Sequence, residues 1–405
     1  MISSSNSVRI AWLLPTAWFY WQPSLSELTQ KFSLTKVFTG LWPGFAKGFE
    51  NALDVQTVGN RKVVSVSADA KGYGNNFTYL SPNIVFPLLQ LRPHVVFSSS
   101  FGVWTLLALM LKPIGGWRVV IAYEGSSPSV DFRSSKRRLA LRRAMVRAAD
   151  ACITNSQQGK AYLTEVLNAP DNAVFAFPYE VPDPRSLLAA SVQKTDEPLL
   201  PFEARSPVFI CIGSIIPRKG LTCLLQACQQ LNAQGITDYT VLVVGDGEQR
   251  PELEQFCRDN DLTEQVRWLG RIPYEKLGQY IQLADVFVLP TLEDTWGMVV
   301  LETMILGKPV LCSTGAGASE LVKDGQNGYR FEPENAAQLS GLMQNFVDRP
   351  EIIPEMGQQS QQIMEQHTPE KAGKFLADIA NFVLFPTSEQ TTVSKSHSQR
   401  ERGIG

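Results

Sequence analysis

The sequence predicts an α/β protein built from two Rossmann-like, doubly wound domains facing across a cleft. Three observations carry this expectation. Short β-rich runs recur in the first half and again in the second, helical stretches lie between many of them, and a proline-rich segment separates the two series. At 405 residues the chain is long enough for two domains of ordinary size.

The first series runs Val8–Leu14, Val63–Ser67, Val95–Ser99, Val119–Tyr123, Ala151–Thr154 and Val174–Pro178. Near-continuous apolar runs of this length suit a parallel sheet covered on both faces. Pro178, Pro182, Pro184, Pro198 and Pro201 then mark a linker. The second series alternates more strictly. Strand Pro207–Ile212 precedes a helix from Gly220 to Gln234. Strand Thr240–Val244, helix Pro251–Asn260, strand Val266–Leu269 and helix Tyr274–Ala284 follow. Strand Val286–Leu289, helix Gly297–Leu306 and strand Pro309–Cys312 complete it. The expected division is 1–185 for the first domain, 186–205 for the linker and 206–366 for the second domain. A helix over 367–386 and a polar, disordered tail over 387–405 follow.

Composition narrows the function. The chain is 44% hydrophobic and 19% charged, as in a globular protein, and its net charge of −2 gives no bulk electrostatic case for nucleic acid. Six cysteines form no CxxC pair, which suits buried thiols in a reducing compartment. The start lacks the pattern of a signal peptide. The longest apolar candidate for a membrane span, Val103–Ile114, is interrupted at Lys112-Pro113. A cytoplasmic location, at most touching the inner face of the membrane, is therefore expected.

The most informative stretch is Val286 to Gly307. A buried strand leads into a loop holding Asp294, and a helix begins near Gly297 with Glu302 inside it. A helix start offers free N–H groups and positive potential to an anion. Glu302 lies among Met298, Val299, Val300, Leu301, Met304 and Ile305, so its carboxylate needs partners. An anion flanked by hydroxyls for the two acids describes a nucleotide sugar.

Asp294, seven residues, Glu302, and then Gly307-Lys308-Pro309 resemble the acidic signature of the retaining GT-B glycosyltransferases of family 4, the glycosyl transferases group 1. That family usually has Glu in the first position. Here Asp294 stands there with Glu293 beside it. The resemblance implies that Thr295, Trp296, Gly297 and Met298 meet the donor, Asp294 faces its sugar and Glu302 takes the ribose hydroxyls. Gly213-Ser214-Ile215-Ile216-Pro217-Arg218-Lys219-Gly220 is similar to the family's donor phosphate site, although the family often has Gly-Arg where Gly213-Ser214 stands. An Arg-Lys pair at a turn is by itself ordinarily a solvated pair. In the family setting Arg218 and Lys219 would neutralise the diphosphate. Gly245-Asp246-Gly247 and Gly270-Arg271-Ile272-Pro273 resemble the loops near the nucleotide and its base, and Thr314–Glu320 resembles a Gly-rich turn of the family. The resemblance covers Ser206 to Pro333. The first domain shares only the architecture.

On the acceptor side, Trp18-Phe19-Tyr20-Trp21 replaces the family's glycine-rich first loop, either to stack on an acceptor or to pack between domains. Glu124 stands where many members carry a histidine, as a hydroxyl acceptor or acid/base. Lys136, Arg137, Arg138, Arg142, Arg143 and Arg147 share a predicted helix with Leu139, Leu141, Met145 and Val146. Such a helix is either a solvated basic face or a peripheral contact with anionic membrane.

What the resemblance implies is a metal-independent hexosyltransferase. It would use a UDP-, GDP- or ADP-sugar and a glycan, lipid-linked or small-molecule acceptor, with retention at the anomeric carbon and no cofactor. The alternative is a catalytically weak binding protein of this fold, partnering another transferase. Asp259-Asn260-Asp261 has the spacing of a metal-binding DxD but sits at a helix end, far from any strand terminus. No histidine cluster, Ser-His-Asp set or first-strand GxGxxG supports another chemistry.

Overall fold

A computed structural model describes residues 7–67, 73, 75–192, 199–200 and 202–385. The first sheet contains β1 (Arg9–Leu14), β2 (Leu34–Thr39) and β3 (Asp54–Thr57). A separate antiparallel hairpin, β4 (Lys62–Ser67) and β5 (Asn75–Tyr79), interrupts the series. The sheet resumes with β6 (Val95–Ser99), β7 (Arg118–Tyr123), β8 (Ala151–Thr154) and β9 (Val174–Ala176). Its order is β3-β2-β1-β6-β7-β8-β9, and every pairing is parallel.

The second sheet is β10 (Val208–Ile212), β11 (Thr240–Val244), β12 (Val266–Gly270), β13 (Val286–Leu289), β14 (Val310–Ser313) and β15 (Gly328–Phe331). Its order, β12-β11-β10-β13-β14-β15, reverses between β10 and β13 as the first sheet reverses between β1 and β6. Loops leave the carboxyl ends of the strands in opposite directions at such a reversal, and the crevice between them is where open α/β sheets bind ligands.

Side-chain alternation explains the layers. Ile10, Trp12 and Leu14 face one core with Trp21, Leu25 and Leu28, while Ala11 and Leu13 face another with Leu88, Ala108 and Leu139. Both clusters are buried, so both faces of the sheet are covered.

The structure departs from the sequence expectation in three places. The run at Val63 belongs to the hairpin, and β2, β3 and β15 enlarge the main sheets; these short strands are too polar to register as apolar runs. The expected linker contains a helix, Pro184–Ser191, started by the Asp183 side chain accepting from Arg185 N and Ser186 N. That helix packs on helix Tyr274–Leu283 of the second domain, where a Cβ on Gly278 would lie 3.0 Å from Leu187 O. Finally, Arg142 of the basic helix points inward and is buried.

The last described helix, Pro369–Leu384, returns to the first domain and packs on helix Gln22–Lys31. Phe382 meets Phe175 edge-on at 5.0 Å, and Phe375 lies 5.2 Å from Phe177. Gly373 permits the close approach, since a Cβ there would come within 2.2 Å of Glu27 Cβ. The expected disordered tail, 387–405, lies outside the described residues. Among the described residues no helix is long and apolar enough to cross a membrane. Gly373→Leu should lower the unfolding free energy by about 1–3 kcal/mol through overpacking, measured by urea denaturation.

Candidate functional site

The site forms where the loops after β10 and β13 meet. After β10 the chain passes Gly213 and makes one 3-10 turn, Pro217–Lys219. It enters helix Leu221–Ala233 through Gly220, whose φ is +65°. A Cβ on Gly220 would stand 2.0 Å from Pro290 O, so only glycine lets the turn lie against the end of β13. Leu292 N and the Thr291 hydroxyl then both donate to Arg218 O, at 2.8 and 3.1 Å. These contacts lock the two loops together.

This locking brings Arg218, Lys219 and Asp294 together. Lys219 Nζ pairs directly with Asp294 Oδ2, and both side chains are largely buried. Arg218 Nη1 donates to Glu293 O at 2.8 Å. Burial alone would raise the Asp294 carboxyl; Lys219, then Arg218 and the Tyr73 hydroxyl, bring it below the ordinary range.

Gly297 begins helix Met298–Ile305 in the left-handed region, φ +99°, and no side chain caps the start. Its first amides are therefore available to an anion. Glu302 lies inside this helix, 6% exposed, and accepts from the Tyr274 hydroxyl at 3.0 Å. Burial pushes its carboxyl up to about 7, against the opposing pull of Tyr274. Tyr274 follows Arg271 and Ile272; Arg271 is exposed, and Ile272 packs against the core. The base-side loop and the acid-bearing helix therefore touch through Tyr274.

Gly245 and Gly247 have a packing reason. A Cβ on Gly245 would lie 1.8 Å from Gly213 O, and one on Gly247 2.3 Å from Ile215 O. Their bareness lets the loop after β11 support Gly213-Ser214, whose serine is exposed. Asp259-Asn260-Asp261 closes a helix end: Asp259 accepts from Gln255 at 2.6 Å and Asp261 has φ +55°.

The first domain closes on this site through residues that the sequence did not single out. Tyr73 donates its hydroxyl to Asp294 Oδ1 at 3.1 Å, accepts from Thr295 N at 3.2 Å, and its ring lies 3.9 Å from the Arg218 guanidinium. Buried Glu293 receives Tyr73 N at 2.9 Å, Ser129 N at 3.1 Å and the Ser129 hydroxyl. Glu320 caps helix Gln157–Ala161 from across the cleft, with both oxygens at 2.8 Å from Gln157 N and Gln158 N. A Cβ on Gly125 would lie 1.9 Å from Thr295 O. Such pairings, between residues far apart in the chain, leave no local sequence signal.

Glu124 sits half-buried beside Gly125. Burial first, then the Asp294 charge, raises its carboxyl to about 7. Next to it stands Glu180, 3% exposed, with Oε1 lacking a hydrogen-bond partner. Burial, then Glu124, raises the Glu180 carboxyl well above its usual range. The Asn155 amide braces both: Nδ2 donates to Glu124 O at 2.9 Å, and Oδ1 accepts from Tyr179 N and Glu180 N at 3.0 and 3.1 Å. Trp296 Nε1 donates to Glu180 O at 3.1 Å. Of the four adjacent aromatics, Trp21 is core, Trp18 is exposed, Tyr20 is partly buried near Glu124 and Glu180, and Phe19 lies 4.7 Å from Tyr274. The structure thus brings Arg218, Lys219 and Asp294 together, with Glu124 close enough to feel the Asp294 charge, while Glu302 meets Tyr274 inside the helix that follows.

Two parallel domains with a carboxyl-end cleft and cations beside a bare helix start define the GT-B class of fold. Residues 192–363 match the family model of glycosyl transferases group 1. The chain is similar to Anabaena HepE in complex with UDP, with TM-score 0.70 and 16% identity, covering 92% of this chain and 99% of that one. A glycosyltransferase from Rickettsia africae is similar at TM-score 0.70 and 11% identity, covering 94% of this chain and 100% of that one. In sequence the chain is 27% identical over 152 residues to alpha-D-kanosaminyltransferase of Streptomyces kanamyceticus, 38% of this chain and 39% of that protein. It is 32% identical over 158 residues to a GDP-mannose-dependent alpha-(1-6)-phosphatidylinositol monomannoside mannosyltransferase of Mycolicibacterium smegmatis, 37% of this chain and 41% of that protein. The chain spans about two fifths of the length of the first curated relatives it matches.

Two outcomes are expected. The folded Glu302 carboxyl titrates near 7 against the ordinary 4.5, so its contribution to stability is full below 4.5 and is lost as pH rises through 7. Glu302→Gln keeps an acceptor for Tyr274 and should flatten that decline, with a gain of roughly 1–3 kcal/mol at pH 8 in denaturant titrations. Tyr73→Phe should speed hydrogen exchange at the Thr295 amide and cost about 1 kcal/mol of stability.

Proposed function

We propose that the chain is a retaining glycosyltransferase that moves a hexose from a nucleotide diphosphate sugar to an acceptor hydroxyl. The observation that carries this reading is the convergence of Lys219, Arg218 and the uncapped start of helix Met298–Ile305 beside Asp294. Two cations and a row of amides suit a diphosphate. Glu302, within reach of Tyr274, suits the ribose hydroxyls, and the Ile272 loop suits the base. The family match over residues 192–363 supports the same reading.

In this reading the donor's diphosphate takes Lys219 from Asp294, which frees the carboxylate to accept a sugar hydroxyl. The bond between the anomeric carbon and the diphosphate oxygen breaks. The acceptor oxygen bonds to that carbon on the same face, and its proton passes to the departing diphosphate. Arg218, Lys219 and the helix start hold the charge that develops, so the step requires no metal. Glu124, on the opposite wall, receives a hydroxyl of the acceptor or exchanges its proton.

A second reading has a specific observation behind it. Tyr73 occupies hydrogen-bonding positions on Asp294 and Thr295 that a sugar donor would use. That arrangement also suits a binding protein of the same fold that does not turn over.

Thermal-shift titration with UDP-, GDP- and ADP-sugars tests donor binding, and one of them should raise the melting temperature. Release of free nucleotide diphosphate with pooled sugar acceptors then separates enzyme from binding protein. Lys219→Ala and Glu302→Ala should each weaken the preferred donor roughly 10- to 100-fold. Unchanged affinity in both variants would remove the assignment.

A further inference from the structure

The strongest feature that the cleft chemistry leaves unused lies on the outer face of the first domain. Three helices sit side by side there: Val85–Leu91, Val103–Gly115 and Lys136–Ala148. Their inward residues, including Leu88, Ala108, Leu109, Leu139 and Met145, share one core. Lys112 Nζ ties two of the helices together by donating to Ala148 O at 2.9 Å.

Their outward residues are unusual in two ways. None of the three helices contains an Asp or Glu, in a chain whose net charge is −2. Arg142 turns inward to Asp131 O and the Tyr162 hydroxyl, and Arg143 is held by Val166 O. Lys136, Arg137, Arg138 and Arg147 remain exposed. Asp150, just past the last helix, pairs with Lys112 and Arg118. Large apolar side chains also stand out: Phe86 is 72% exposed, Met110 66%, Ile114 77% and Leu141 49%. They are spread over all three helices, and the exposed cations lie on the third, Lys136–Ala148.

We propose that this acid-free helical layer is a docking surface for an anionic lipid bilayer. The cations meet the headgroup charge, and Phe86, Met110, Ile114 and Leu141 enter the boundary between headgroups and acyl chains. Nucleic acid would use the cations but gain nothing from protruding Met, Ile and Leu side chains. A bilayer also takes apolar side chains borne on separate helices, as Phe86, the i, i+4 pair Met110 and Ile114, and Leu141 are here. The bilayer uses both properties at once. Docking of this kind would suit an acceptor that is itself membrane-borne, but the surface argument stands without the proposed reaction.

Sedimentation of the full chain with vesicles tests the proposal without any donor or acceptor. One set is phosphatidylcholine alone, and the other is an equal mixture of phosphatidylcholine and phosphatidylglycerol. The wild-type chain should bind the mixed vesicles, bind the neutral ones far less, and be partly released by high salt. A Lys136→Gln, Arg137→Gln, Arg147→Gln variant should lose roughly 100-fold in partitioning, about fivefold per cation. A Met110→Ser, Ile114→Ser variant should also bind less, while keeping its salt dependence and its thermal midpoint. Equal binding to both vesicle types, no binding to either, or wild-type binding by both variants would overturn the proposal. Binding to duplex DNA or heparin that survives Met110→Ser, Ile114→Ser, without vesicle binding, would reassign the face to a soluble polyanion.

Discussion

A carboxylate that stays ionised away from water needs a cation, and Asp294 finds Lys219. The pair lies at the meeting point of the two strands where the second sheet reverses its order, so the loops after β10 and β13 cannot be moved independently. Around it the other groups fall into place. Arg218 reaches Glu293 O, Tyr73 covers both Arg218 and Asp294, and Gly297 turns the chain into the helix that carries Glu302. The pair is also the element that a phosphate-bearing ligand would have to reorganise. Its charge is balanced internally, and an anion competing for Lys219 would release a carboxylate toward hydroxyls.

Close backbone approach is what makes the arrangement possible. Gly125, Gly220, Gly245, Gly315 and Gly317 each stand where a side chain would meet a carbonyl oxygen within 2.4 Å. Gly125 and Gly317 press from two sides on the same Thr295 carbonyl, one from each domain. The loop between β13 and its helix is therefore clamped by the second domain and touched by the first. Rigidity there is useful in a site that must present several groups together.

The acids show how environment divides similar side chains into different roles. Asp294 is held ionised by neighbouring cations, whereas Glu302 and Glu124 are pushed up by burial with no cation against them. Glu293, adjacent to Asp294, spends its oxygens on Ser129 and Tyr73 N and so links the domains. Next to each other in the chain, the two acids differ because they meet different partners, Ser129 and Tyr73 N for Glu293 and Lys219 for Asp294.

The second domain was largely legible from the sequence because its strands are apolar runs punctuated by glycines, and its acid-bearing helix is short and local. Arg218-Lys219 and Asp294 stand in the loops that follow β10 and β13, so strand–helix alternation alone puts them at one edge of the sheet, and Glu302 lies further on, inside the helix. The strands Leu34–Thr39, Asp54–Thr57 and Gly328–Phe331 escaped because mixed polar residues conceal short strands. What tertiary structure alone decided is the partnership across the cleft. Tyr73 reaches Asp294 over 221 positions and Trp296 reaches Glu180 over 116, and no periodicity or spacing encodes such a contact. Local sequence sets which backbone turns are possible. Which buried charge is neutralised, and by what, depends on groups that folding alone brings within a few ångströms.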